Sequence, residues 1–269
     1  MLAGRLSYAM IVLLSPAKSL DLQTPLPTRK RSLPRLLEQS EQLVEVMQER
    51  SPDELSALMG ISADLGALNA QRFADFSLPF TAKNARPAAL MFDGDVYQGM
   101  AARARFGERD WTEAQKSVRI LSGLYGLLRP LDLVQPYRLE MGTTVPTSRG
   151  RSLYDFWGSQ VTSLIASDLA DSPGADAVVN LASEEYAKAV RPQDLSGRFV
   201  SPRFLDADPS GRFRIVSFFA KRARGEMAAW LVLNRIRSVR ALPAFDAAGY
   251  RFDPERSTPD QPTFVRAHA

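Results

Sequence analysis

Polar clusters that could do chemistry recur where apolar runs end. Ser15-Pro16-Ala17-Lys18 follows MIVLL, Asp93–Tyr97 follows AALMF, and Asn180–Lys188 follows AVV. SGLYGLLRPLDLVQPYRLEMG, residues 122–142, places Arg129, Asp132, Tyr137, Arg138 and Glu140 among leucines and prolines, and Ser217–Arg224 ends in three cations. In α/β sheets the strand ends form the ligand crevice. If these ends face one way, Lys18, Arg129, Arg138, Lys221, Arg222 and Arg224 surround one basic cleft, with Tyr137 and Asn180 beside them. Clustered cations repel, so an anion is the natural occupant. Glu140, Glu185 or Asp93 would supply an acid or base if the cleft is catalytic.

Much other chemistry is excluded. The chain has no cysteine and one histidine, His268. A thiolate nucleophile, a Cys-ligated metal and a Ser-His-Asp triad are therefore ruled out, and no cofactor is expected. Carboxylates and carbonyls alone suit hard ions better than iron. Ser15-x-x-Lys18 has the spacing of a penicillin-binding nucleophile, but that chemistry needs a helix, and here Pro16 follows the end of a strand. Charge is uneven: residues 198–240 carry ten basic groups against Asp206, Asp208 and Glu226. Such a segment attracts phosphates.

A second anion site is suggested at 52–73. Leu58-Met59-Gly60-Ile61-Ser62 breaks two helical patterns in the manner of a helix-hairpin-helix, whose second helix offers its N-terminal N–H groups to a DNA phosphate. Gly60, Ser62 and Arg72 would make that contact. The plain alternative is an αα-hairpin with a glycine C-cap, and Ser62 stands where the motif usually has a second glycine.

The elements that must position these groups alternate between periods. Met10–Leu14, residues 88–92, 118–121, 177–183, 249–252 and 263–266 read as strands, and 198–206 with 213–220 as a hairpin about ADPSG. Helices are expected over 33–50, from Ser51 onward, over 110–117, over 152–171 and over 221–235. The fold class is α/β (α+β): a single domain over 10–269 with a mixed sheet flanked by helices, preceded by an extension at 1–9. No apolar run approaches the length of a membrane span, so a cytoplasmic protein without membrane partners is expected.

Several segments then stand out together. MIVLLSPAKSLD, NARPAALMFDGDVYQGM, RILSGLYGLLRPLDLVQPYRLEMG, LYDFWG, VVNLASEEYAK and SFFAKRARGEMAAW resemble, in order, the YaaA family of bacterial peroxide-stress proteins. The likeness runs from Met10 to about Phe252. It implies a cytosolic protein of the peroxide response that limits unincorporated iron and the resulting damage to DNA and protein; it supplies no reaction and no catalytic residue. Two partners fit the residues: double-stranded DNA bound without sequence specificity, or a phosphate-bearing or otherwise anionic small molecule on which the protein acts as an enzyme.

Overall fold

MIVLL is apolar and buried at every position, which a strand achieves only inside a sheet covered on both faces. The computed structural model, which describes residues 10–171 and 177–267, places Met10–Leu14 at the centre of a five-stranded sheet. The order is Gly126–Leu128, Val118–Ser122, Met10–Leu14, Ala177–Asn180, Arg198–Val200. The central strand runs parallel to both neighbours, pairing Val12 with Val118 and with Val179; only Gly126–Leu128, at one edge, is antiparallel. The Gln160–Ala170 and Glu108–Ser117 helices pack on the central strand. Residues 1–9 and His268 lie outside the described residues.

A second sheet, ordered Arg251–Phe252, Thr263–Arg266, Arg203–Ala207, Phe213–Arg214, is built on aromatic packing. Phe204 and Phe264 stack at 5.6 Å, and Phe245 meets Phe264 edge-on at 5.5 Å. The Ser217–Leu233 helix leans on this sheet and on the Asp95–Met100 helix. A two-stranded pair joins Arg86–Pro87 to Leu133–Val134. The mixed α/β class is therefore as read.

Several elements differ from the reading, each for a local reason. Residues 88–92 form a buried helical turn, Ala88–Met91, rather than a strand. Two alanines favour helix, and the Ala88 and Ala89 N–H groups are taken up by Asp132 and Pro130 carbonyls. The helix expected over 33–50 begins at Leu37, because Ser32 is drawn away to Asp132. The long helix at 152–171 is two, Leu153–Trp157 and Gln160–Ala170, broken at Gly158 with φ 51°. Residues 198–206 do not form one strand: Pro202 separates Arg198–Val200, in the first sheet, from Arg203–Ala207, in the second. Ser217–Ala220 is helix rather than strand, so Lys221, Arg222 and Arg224 stand in the helix body and not at its first turn.

Candidate functional site

The ends of two parallel strands open into one cavity of about 470 Å³. Residues 15–19 leave Met10–Leu14, residues 181–186 leave Ala177–Asn180, and residues 137–140 close the side. Asp93–Gln98 and two residues of the Ser217–Leu233 helix, Lys221 and Arg224, complete the wall. Hydrogen bonds tie several of these segments together. The Ser183 N–H donates to Ser15 Oγ at 2.9 Å, and the Tyr97 hydroxyl donates to the Ser15 carbonyl at 2.9 Å. Tyr137 and Ser122 share a hydrogen bond at 2.6 Å. Burial pushes the Tyr97, Tyr137 and Tyr186 phenols well above their ordinary range, so all three stay protonated at any physiological pH.

Two helices hold Lys221 in place by touching backbone to backbone. A Cβ on Gly225 would sit 1.9 Å from the Val96 carbonyl oxygen, and one on Gly99 would sit 2.2 Å from the Arg222 oxygen. Only glycine permits that approach. It sets Lys221 Nζ 3.8 Å from Asp95 Oδ2 across the cavity wall.

Charges in the cavity are paired. Glu140 bridges two cations: its Oε2 lies 2.9 Å from Lys18 Nζ, and its Oε1 accepts from Arg138 at 3.2 Å. Glu185 Oε1 accepts from the Gly142 N–H at 2.9 Å. Among the described residues the lining holds four cations, Lys18, Arg138, Lys221 and Arg224, against four carboxylates, Asp93, Asp95, Glu140 and Glu185. The expected basic cleft is thus a charge-balanced pocket. Arg224 is the exception among its cations. It is half-buried and forms no ion pair within 4 Å among the described residues, and burial presses its guanidinium below its usual range, opposed by the charge of Glu184.

The structure brings Lys18, Asp93, Tyr137, Arg138, Glu140, Glu185, Lys221 and Arg224 together. It does not bring in Arg129, Asn180 or Arg222. Arg129 is a corner residue: its guanidinium donates to the buried Asp132 carboxylate at 2.9 Å and to the Leu33 carbonyl. Asn180 donates to Ser201 Oγ and accepts from the Ala182 N–H. Arg222 lies over the Phe218 ring, 5.7 Å from its centroid. Asp95, Tyr97, Tyr186 and the Ser15–Ser183 pair were missed in the sequence. Asp95 and Tyr97 stand in the DGDVY turn already singled out, but burial and partner decide their place, and neither shows in one chain.

Residues 52–73 form two antiparallel helices, Pro52–Met59 and Ala63–Ala74. Gly60 caps the first in the left-handed region, with open space where a Cβ would be, and Ser62 Oγ accepts from the Leu65 N–H to cap the second. The close glycine of this hairpin is Gly66, where a Cβ would collide with Ser56 Oγ and the Pro52 carbonyl. Arg72 lies near the far end of the second helix, about 15 Å from the turn at 1.5 Å per residue. Burial first, and then the like charge of Arg138, press its guanidinium below its usual range. Asn69 Oδ1, at 3.4 Å, is its hydrogen-bond partner, and among the described residues no carboxylate pairs with it.

The family model described as peroxide stress protein YaaA matches residues 10–256. A protein of Cellvibrio japonicus (strain Ueda107) described as a UPF0246 protein is 49% identical over 257 residues, covering 96% of this chain and 98% of that one.

Proposed function

The chain belongs to the peroxide stress protein YaaA family, and from that premise we propose that it limits peroxide and iron damage by binding double-stranded nucleic acid without sequence preference. One observation carries the reading: Arg72 of the hairpin is half-buried with only Asn69 as hydrogen-bond partner and, among the described residues, no carboxylate, while the like charge of Arg138 bears on it. A phosphate between them would relieve both the repulsion and the desolvation. The same helix carries the open Gly60 turn at its other end, so a duplex along it meets one phosphate at the turn's backbone N–H groups and another at the guanidiniums. The test is fluorescence anisotropy with duplexes of unrelated sequence. Affinity should fall steeply with salt and ignore sequence, and Arg72→Ala should lower the logarithmic salt slope by about one. Gly60→Glu should weaken binding while Gly60→Asn, whose side chain tolerates the left-handed region, should not. Salt-independent binding, or equal affinity of folded Arg72→Ala and Gly60→Glu proteins, would overturn it.

A second reading is favoured by the pocket itself. Its volume, its balanced charge and the unpaired Arg224 suit a small phosphorylated molecule, with Glu140, Glu185 or Asp93 as acid or base. Under it, nucleoside monophosphates raise the Tm of the native chain and not of Arg224→Ala, and duplex DNA does neither.

A further inference from the structure

Outside the pocket, the first turn of the Ser217–Leu233 helix carries an aromatic surface that nothing covers. Phe218 and Phe219 are 48% and 39% exposed, and Ile215 before them is 59% exposed. Among the described residues these are the only phenylalanines so exposed. Their rings meet edge-to-face at 5.4 Å. Each is flanked by a guanidinium: Arg222 lies 5.7 Å from the Phe218 centroid and Arg266 lies 4.1 Å from that of Phe219. Arg266 is fixed there by Asp206, through Nε at 2.7 Å. Among the described residues Arg222 has only the ring as partner, and Arg214, exposed at the end of the adjoining strand, has no acid partner.

We infer that this surface binds unpaired bases of a single-stranded nucleic acid, Phe218 and Phe219 stacking the bases and Arg214 and Arg222 meeting the phosphates. The inference rests on the nucleic-acid reading and extends it to a second substrate form. Flat apolar faces beside free cations match a ligand that is itself a planar apolar face joined to an anion. A duplex presents no base faces, so the stacking rings select unpaired strand. Continuity supports the same occupant. Phe218 and Lys221 are three residues apart and so neighbours on the helix surface; Lys221 lines the pocket, while Phe218, Phe219 and Arg222 line the adjoining groove of about 210 Å³. A strand that reached from Lys221 along the helix surface would meet the rings next.

The test uses the full chain, a single-stranded oligonucleotide carrying 2-aminopurine, and the duplex of the same sequence. Both rings are exposed, so Phe218→Ala/Phe219→Ala should fold normally, checked by its Tm. Single-strand affinity should fall about tenfold and 2-aminopurine quenching should be lost, while duplex affinity stays unchanged and Phe218→Trp keeps the quenching. Unchanged quenching and affinity in the double variant, with duplex still bound, would overturn the inference and leave the duplex reading standing. So would a native dimer that the double variant converts to monomer, since the rings would then be a contact between copies, or binding of anionic vesicles in place of the strand. If neither nucleic acid binds, both readings fall together.

Discussion

Asp168 holds two guanidiniums at once. Its Oδ2 lies 2.6 Å from Arg119 Nε, and Arg35 grips both oxygens at 2.8 and 2.9 Å. Arg119 stands on the strand beside Met10–Leu14 and is almost fully buried, so the carboxylate neutralises a charge that water cannot reach. Asp168→Asn leaves that charge unpaired and should cost about 3–5 kcal/mol, read by denaturant unfolding at neutral pH. Burial raises the Asp168 carboxyl, but the two arginines more than offset this and hold it below its ordinary range. A depressed folded pKa means stability present above the unfolded value and lost as pH falls through the folded one. The variant's deficit should therefore shrink in acid, and equal acid limbs for both proteins would count against the assignment. The residues of the site were legible by type and less so by role. Arg129 and Arg138 look alike in RPLDLVQPYRLE, each with an acid two or three residues on. What separates them is that Asp132 is fully buried and turns Arg129 into a corner, while Glu140 faces the cavity and reaches Lys18. Burial is set by distant elements, so spacing alone could not tell them apart.

At the scale of elements, period and punctuation located most of the sheet. Met10–Leu14 and the strand ending at Asn180 were legible because both-face burial demands apolar runs, and Val118–Ser122 was legible from its apolar residues around Arg119. What period could not give was a four-residue turn in an all-buried context, as at Ala88–Met91, or a helix that opens on β-prone Phe-Phe, as at Ser217. In both, tertiary contacts override local propensity. The crossing of the Asp95–Met100 and Ser217–Leu233 helices was equally hidden, since Gly99 and Gly225 read alone as weak helix positions. Together they permit the approach that carries Lys221 to the pocket wall. Gly225→Ala forces its Cβ against the Val96 carbonyl, and overpacking of this kind costs about 1–3 kcal/mol. A lowered Tm is expected, with loss of whatever ligand response Lys221 and Arg224 support, because both ride on the displaced helix. Retained Tm with retained binding would show that the two helices can part without consequence.

At the scale of the whole molecule, the proposed function raises the question of how a chain of this composition would limit iron damage. It has no cysteine and a single histidine beside its C-terminus. Among the described residues no three carboxylates or imidazoles are grouped to hold a metal ion. The acids that do gather, around the 470 Å³ cavity, are engaged otherwise: Glu140 by Lys18 and Arg138, Glu185 by the Gly142 N–H, Asp95 by Lys221. Ferrous iron favours sites with imidazole or thiolate over carboxylates already committed to lysine and arginine. Under the proposed function, protection works through what iron-derived oxidants attack, with nucleic acid shielded at the guanidinium rim, and not through holding iron. Two measurements follow from that separation. Purified protein dialysed against a chelator should carry far less than one iron per chain by metal analysis. Arg72→Glu should abolish protection against peroxide in cells while leaving the folded protein's Tm near that of the native chain, because among the described residues Arg72 carries no ion pair. One tightly retained iron per chain would place the metal at the centre of the function, and full protection by folded Arg72→Glu would remove the rim from it.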